Sequence, residues 1–209
     1  MRRVSLRLYP GTAIVFEGLD RTGKSTQLKK LSNALDSGSV VFAHMPSGFT
    51  PFTHNIYRIL ESKRRKPTSG LAQQLAHLSC HAESVSSLVE AARSKALVLD
   101  RWWWSTLAYG WYGGSVETSG LSEESFRELI DTIWRPIDPS LVFVFLAPHQ
   151  IDSNNTEGVE AGYRDLLLRH PDVAVTVPSE DADSVHRFIV EELLRRNLAS
   201  RVASTVGSK

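Results

Sequence analysis

The segment 18–25 constrains this chain more than any other, because it reads glycine, four residues, then Gly-Lys-Ser. The apolar run TAIVF at 12–16 precedes it, and leucines recur at helical spacing over 25–35. A glycine-rich loop between a strand and a helix turns its backbone N–H groups toward a phosphate, and the positive helix end adds to the attraction. The pattern predicts a phosphate-binding loop for ATP, formed by Gly18, Thr22, Gly23, Lys24, Ser25 and Thr26.

Four side chains of this site have predicted chemical roles. Lys24 would reach the β and γ phosphates, and the Ser25 hydroxyl would ligate Mg²⁺. Asp100 ends the apolar run ALVL, where it would bind the same ion; the alternatives are a helix cap or an ion pair with the adjacent arginine. Arg21 lies inside the loop, and the segment 147–157 contains no Lys or Arg, so we interpret Arg21 as the catalytic arginine.

Apolar strand-like runs alternate with helical stretches along the whole chain. Nearly continuous apolar strands in this arrangement predict a parallel sheet covered on both faces. The predicted fold is a three-layer α/β P-loop domain with a five-stranded parallel sheet, spanning 1–209 with a core at about 12–197 and a tail at 202–209. The predicted strands are 12–16, 40–43, 96–99, 141–146 and 173–177, and the predicted helices are 25–35, 71–92, 121–134 with Ser122 as N-cap, 159–170 and 183–197.

Composition and charge exclude several classes of protein. The 209 residues are 42% hydrophobic, which suits one globular domain. With 24 basic and 23 acidic residues, the overall charge gives no signal for nucleic acid. The single cysteine, Cys80, excludes an intramolecular disulfide, and the segment 4–16 contains no apolar run long enough to span a membrane. We therefore expect a cytoplasmic protein without a membrane partner, and a solvated basic N-terminus at Arg2, Arg3 and Arg7.

Two segments resemble the thymidylate kinase family of nucleoside monophosphate kinases. FEGLDRTGKSTQ at 16–27 is similar to that family's phosphate loop, in the branch that carries the catalytic arginine within the loop. DRWWWSTLAYG at 100–110 is similar to its DR[YF]xxSxxAYQ segment. The segment 45–50 resembles the family's proline-containing loop after the second strand, and GYRDLLLRHPDVAVTV at 162–177 has a weak likeness to its C-terminal helix and last strand. The resemblance implies ATP·Mg²⁺-dependent phosphoryl transfer to a thymidylate-like pyrimidine nucleotide, by a protein that in many relatives is a homodimer.

The resemblance also implies the residues that position the acceptor. Asp20 would approach the acceptor's sugar or its arriving phosphate, which places it with Arg21 and Lys24 among the catalytic residues. Arg101 would hold the acceptor phosphate, and Ser105 and Tyr109 would line the base and sugar site.

Several positions depart from the family's pattern. His44 and Gly48 stand where the family usually has an arginine beside the proline, and His77 and His81 stand where its long helix supplies an aromatic residue and an arginine. Gly110 replaces a glutamine. Two arginines that the family uses to bind the acceptor phosphate are therefore missing, although a nucleoside monophosphate is a dianion that normally needs several cationic donors. The two histidines would stack or hydrogen-bond in the acceptor site, or lie on the surface; their i, i+4 spacing alone is a weak metal motif.

The aromatic run at 102–104, with Tyr109, Trp111 and Tyr112, has two interpretations. These rings fill the core, or they form a stacking platform for bases, including those of a nucleic-acid strand whose phosphates would contact the basic segment 63–66. The second would suit an alternative function, a phage-type kinase that phosphorylates the hydroxyl of 5-hydroxymethyluracil, a modified pyrimidine within DNA. A third hypothesis, a nucleotide-binding protein without catalysis, conflicts with the intact phosphate-loop residues.

Overall fold

The computed structural model describes residues 4–47, 49–116 and 119–203. Its strands are β1 Val4–Leu8, β2 Ala13–Gly18, β3 Val40–His44, β4 Ala96–Asp100, β5 Leu141–Phe145, β6 Ala174–Thr176 and β7 Ala199–Ala203. Its helices are α1 Lys24–Ala34, α2 Pro51–Leu60, α3 Gly70–Ala92, α4 Trp103–Leu107, α5 Glu123–Trp134, α6 Glu157–Arg169 and α7 Ala182–Arg195, and a π-helical turn, Ala108–Tyr112, follows α4.

Five parallel strands form the central sheet in the order β3-β4-β2-β5-β6, which confirms the predicted fold. The central strand β2 pairs on one side with β4, where Phe16 lies opposite Asp100, and on the other with β5, where Gly18 lies opposite Phe145. The carboxyl ends of these strands therefore meet at one edge, where open α/β sheets bind their ligands.

Helices cover both faces of the sheet, as the apolar strands predict. Side chains alternate between the faces of a strand. Ala13 and Val15 of β2 belong to a core that includes residues of α3, α5 and α6, whereas Ile14 and Phe16 pack with α1 and α7. Within the described ranges, no helix has the length and apolar character needed to cross a membrane.

Two further strands correct the prediction for the chain ends. β1 and β7 pair antiparallel, with Leu6 opposite Arg201 and Ser5 opposite Val202. Both lie outside the predicted core of 12–197, and Val202 belongs to β7 instead of a tail. The side chain of Arg7 is exposed, as expected, but its backbone is in a strand because Leu6 and Leu8 are buried against the sheet. Arg2, Arg3 and the segment 204–209 lie outside the described residues.

The helix α2 is not predicted by the sequence interpretation. Thr50 caps it by accepting a hydrogen bond from the Thr53 backbone N–H, and the Thr53 side chain bonds the Thr50 N–H in return. Pro51 occupies the first turn, where its missing N–H costs nothing. The predicted N-cap of α5, Ser122, is confirmed by its bond from the Ser125 N–H at 3.1 Å.

Candidate active site

The carboxyl ends of β2, β3 and β4 open onto a cleft of about 760 Å³. All the predicted site residues except Gly18 line this cleft. The structure thus brings together segments that are up to about 90 residues apart in the chain. The predicted site residues that line the cleft are Asp20, Arg21, Thr22, Gly23, Lys24, Ser25, Thr26, His77, His81, Asp100, Arg101, Ser105 and Tyr109.

Gly18 lies behind the cleft, where the loop leaves the sheet. Its φ is 122°, and a Cβ at this position would lie 2.1 Å from the Phe145 carbonyl oxygen. Only glycine allows this backbone conformation and this close approach to β5. Its own carbonyl accepts hydrogen bonds from Lys24 Nζ at 3.2 Å and from Arg101 Nη1 at 3.0 Å.

Lys24 is 7% exposed and folded back onto the loop. Besides Gly18, its ammonium group donates to the Leu19 carbonyl and to the Thr22 hydroxyl. Burial lowers the pKa of Lys24 to about 7, and the nearby Arg101 charge adds to the effect. The anionic phosphates of a nucleotide would restore the ionised form.

Arg101 follows β4 in a left-handed backbone conformation, with φ of 68°. Its guanidinium forms an ion pair with Asp20, donates to the Ser105 hydroxyl at 2.9 Å, and lies 5.3 Å from the centre of the Tyr109 ring. The four residues that the resemblance assigns to the acceptor therefore form one contiguous group.

Glu17 lies behind the cleft in contact with the site residue Ser105, and the sequence interpretation missed it. It is fully buried, and its carboxylate accepts hydrogen bonds from the backbone N–H groups of Trp102 and Ser105 at 2.7 and 3.0 Å. It also accepts from the hydroxyls of Ser105 and Tyr163 at 2.5 and 3.0 Å. Burial raises the pKa of Glu17, opposed by the Arg101 charge and these hydrogen bonds. A carboxylate within the apolar strand AIVFEG was the available sequence signal.

Asp100 and Ser25 are the residues predicted to hold Mg²⁺. Burial acts against ionisation of Asp100, but its hydrogen bond with His44 and the nearby cations lower its pKa overall. Asp100 Oδ2 lies 3.0 Å from His44 Nδ1, and the other ring nitrogen of His44 lies 3.3 Å from the Tyr57 hydroxyl. The carboxylate is thus ionised, and it lines the same cleft as the exposed Ser25.

These two oxygen donors fit Mg²⁺, which is usually bound by one or two protein oxygens together with substrate phosphates. No group of three or more His, Cys, Asp or Glu that could hold a metal occurs within residues 4–47, 49–116 and 119–203. The ion would therefore depend on its nucleotide for the remaining ligands.

The segment between β5 and α6 is fastened to the phosphate loop. Asn155 accepts from the Asp20 N–H at 2.8 Å and donates to the Asp20 carbonyl at 2.9 Å. The His149 N–H donates to the Arg21 carbonyl at 2.8 Å, and Arg21 Nε donates to Asp152 at 3.3 Å. Arg21 is exposed, so its guanidinium can exchange this carboxylate for a phosphate. No sequence signal pointed to Asn155, because its partner is backbone.

The two histidines of α3 have different environments. His77 is partly buried and lines the cleft. His81 is 2% exposed, which rules out the interpretation as a surface histidine, and Trp134 Nε1 donates to its Nδ1 at 3.2 Å. Burial lowers the pKa values of His77 and His81 to about 4 and about 3, so both rings are neutral near pH 7.

The tryptophan run is core, not an exposed stacking platform. Trp102, Trp103 and Trp104 are 6%, 9% and 0% exposed, and their rings pack against one another, Trp134 and His170. The basic segment 63–66 lies in an exposed loop between α2 and α3. The three rings together therefore offer no exposed platform for the bases of a nucleic-acid strand.

Comparison with known proteins identifies the family. The model of the family described as "Thymidylate kinase" matches residues 16–149, more than half of the chain. The chain belongs to the thymidylate kinase family. It is 29% identical over 204 residues to a thymidylate kinase of Symbiobacterium thermophilum, covering 88% of this chain and 94% of that protein. A thymidylate kinase of Nostoc punctiforme is 26% identical over 205 residues, covering 90% and 97%.

Solved structures agree on the fold. The thymidylate kinase of Ehrlichia chaffeensis superposes with a TM-score of 0.70 at 24% identity, covering 88% of this chain and 98% of that one. The thymidylate kinase of Candida albicans gives 0.68 at 19% identity, covering 97% and 98%. Family membership makes this chain a phosphotransferase, a P-loop nucleotide kinase. The hypothesis of a kinase acting on modified DNA is not supported, and the hypothesis of a protein without catalysis is set aside.

Proposed function

We propose that this kinase transfers the γ-phosphate of ATP to a thymidylate-like pyrimidine nucleoside monophosphate. The observation that carries the proposal is the shared carbonyl of Gly18, which accepts from Lys24 Nζ at 3.2 Å and from Arg101 Nη1 at 3.0 Å. The lysine assigned to the donor and the arginine assigned to the acceptor are thereby bound to one carbonyl behind the cleft that both side chains line. Such placement turns a reaction between two molecules into one within a complex, which supplies much of the catalysis.

On the donor side, the loop residues Thr22, Gly23 and Thr26 would surround the phosphates with backbone N–H groups. Lys24 would leave the carbonyls of the loop for the β and γ phosphates. Ser25 and Asp100 would hold Mg²⁺, which neutralises phosphate charge when bound.

In the transfer step, an oxygen of the acceptor phosphate attacks the γ-phosphorus in line. The bond from that phosphorus to the bridging oxygen breaks, ADP leaves with the electron pair, and the acceptor becomes a diphosphate. Negative charge is spread over the moving group, where the Arg21 guanidinium would stabilise it after releasing Asp152. No covalent enzyme intermediate is required.

On the acceptor side, Arg101 would hold the phosphate and Asp20 the sugar or the arriving phosphate. Arg101 already donates from Nη1 to Gly18 and Ser105 and from Nη2 to Asp20. A guanidinium has five N–H groups, so others remain for a phosphate. Arg101, Lys24 and Arg21 all line the cleft, so its cationic charge is concentrated where the phosphates of the two substrates would meet.

The test is transfer of labelled γ-phosphate from ATP·Mg²⁺ to dTMP, dUMP and dCMP, with a thymine oligonucleotide as the negative control. We expect label on a pyrimidine monophosphate. Lys24→Ala should abolish transfer, whereas Lys29→Ala, an exposed lysine on the same helix, should leave it unchanged. Turnover by Lys24→Ala, or label on the oligonucleotide alone, would refute the proposal. The homodimer implied by the resemblance stays a prediction, which sedimentation of the same sample would test.

A further inference from the structure

One side of the cleft is formed by α3 and the start of α4. Gln74, His77, His81, Trp102 and Thr106 line it. An acceptor whose phosphate lies at Arg101 would place its base among these side chains. The inference below rests on the proposed function and concerns how this side of the cleft distinguishes one pyrimidine from another.

A buried hydrogen bond fixes the orientation of the His81 ring. Trp134, on α5, is 2% exposed, and its Nε1 lies 3.2 Å from His81 Nδ1. The two rings meet edge to face, with centroids 5.3 Å apart and planes at 69°. Trp134 also meets the Trp102 ring edge to face, with centroids 5.9 Å apart and planes at 82°. Neither ring can turn without disturbing the aromatic cluster.

This contact determines which nitrogen of His81 carries the proton. An indole N–H can only donate, so Nδ1 must accept and has no proton of its own. Burial disfavours the imidazolium form, as the lowered pKa of about 3 indicates. A proton on Nδ1 would also face the Trp134 N–H directly. The neutral ring therefore carries its single proton on Nε2.

Nε2 has no hydrogen-bond partner in the part of the chain that the structure describes, and His81 lines the cleft. A nearly buried donor without a partner favours any ligand that brings an acceptor to it. A neutral imidazole held in one tautomer cannot become an acceptor at Nε2 unless it gives up its bond with Trp134.

We propose that Trp134 holds His81 in the Nε2–H tautomer, and that this N–H selects the acceptor base by donating to a ring carbonyl oxygen. Uracil and thymine present a carbonyl oxygen at the edge where cytosine presents an amino group. With cytosine, two donors would face each other and a buried polar group would remain unpaired, which sites of this kind reject strongly. His81 contacts the base, whereas Trp134 acts through His81 as a positioning residue.

The test uses Trp134→Phe, which keeps an aromatic ring but lacks the N–H. Nitrogen-15 spectra of the imidazole should show the Nε2–H tautomer for His81 in the wild type, and a mixture of tautomers in Trp134→Phe. The ratio of kcat/KM for dUMP over dCMP should fall by about tenfold or more in the variant, with KM for ATP unchanged. Trp111→Phe is the matched control, because Trp111 packs against the same core. His81→Gln, whose amide can donate or accept, should lose the same selectivity.

The inference is overturned if His81 in the wild type carries its proton on Nδ1, if the wild type uses dCMP as readily as dUMP, or if Trp134→Phe keeps the wild-type ratio. The spectra, and the ratio of dissociation constants for dUMP and dCMP, require no turnover. They therefore decide the inference even where transfer fails, and absence of transfer to every pyrimidine monophosphate would refute only the proposed function.

Discussion

Replacing Glu17 by alanine should lower both stability and turnover, because this one carboxylate joins β2 to α4 and α6. Without it, the backbone N–H groups of Trp102 and Ser105 lose their acceptor at the start of α4. This helix has no side-chain cap from its own N-cap residue, so Glu17 supplies the cap from a neighbouring strand. Arg101, which precedes the helix, would also lose a neighbouring negative charge.

The magnitude follows from the contacts. The hydroxyls of Ser105 and Tyr163 are 2.9 Å apart and can bond each other, so only the two backbone N–H groups stay unpaired. Each unpaired buried donor costs about 1–3 kcal/mol. Burial already raises the pKa of Glu17, so its removal relieves part of a desolvation cost. We expect a loss of about 3 kcal/mol, within a total stability of about 5–15 kcal/mol.

Urea unfolding at pH 7 would measure this loss. With a slope of about 3 kcal/mol per molar urea, the midpoint of Glu17→Ala should fall by about 1 M. Glu17→Gln keeps an oxygen that can accept from the N–H groups of Trp102 and Ser105, so its urea midpoint should fall less. Glu124→Ala, an exposed residue of α5, should change stability by no more than about 0.5 kcal/mol. A midpoint for Glu17→Ala equal to that of the Glu124 control would refute the structural reasoning.

Three further predictions concern the phosphate loop. Because the pKa of Lys24 is lowered from 10.5 to about 7, the unfolded chain binds more protons than the folded chain between these pH values, and the stability that depends on this group rises with pH there. ATP binding at pH 8 should therefore take up protons. Calorimetry in buffers of different ionisation enthalpy would measure this uptake, which should be absent in Lys24→Met. Asn155→Ala should lower kcat/KM for the acceptor about tenfold, because the Asn155 amide holds the backbone of Asp20. Asn154→Ala should not lower it. Equal kcat/KM values for the two variants would contradict this reasoning. Gly18→Ala should cost about 2 kcal/mol or more in urea unfolding, and wild-type stability would show that β2 can move away from Phe145.

Much of the site was accessible to sequence reasoning because its signals are local. The spacing of Gly18, Lys24 and Ser25 requires a loop between a strand and a helix, and Asp100 with Arg101 ends an apolar strand. The structure brings the two segments to one cleft, as parallel strands with a shared carboxyl edge require. The roles of these residues are those proposed above.

The partners of these residues were not accessible, since they depend on contacts between distant segments. Glu17 lies beside the predicted loop, yet one of its hydrogen bonds comes from Tyr163, which is 146 positions away in the chain. Asn155 acts on the backbone of Asp20 across 135 positions. His81 was identified by position, but its burial and its bond from Trp134 exist only where α3 packs against α5.

Local patterns were enough to predict the phosphate loop and the five strands of the parallel sheet, because periodicity, glycine positions and apolar runs act on neighbouring residues. The tertiary structure alone decided that the two chain ends pair as β1 and β7, that the three tryptophans fill the core, and that an amide holds Asp20 in place. Each of these outcomes depends on which distant surfaces pack together and which buried polar groups find partners, and no local pattern encodes that choice.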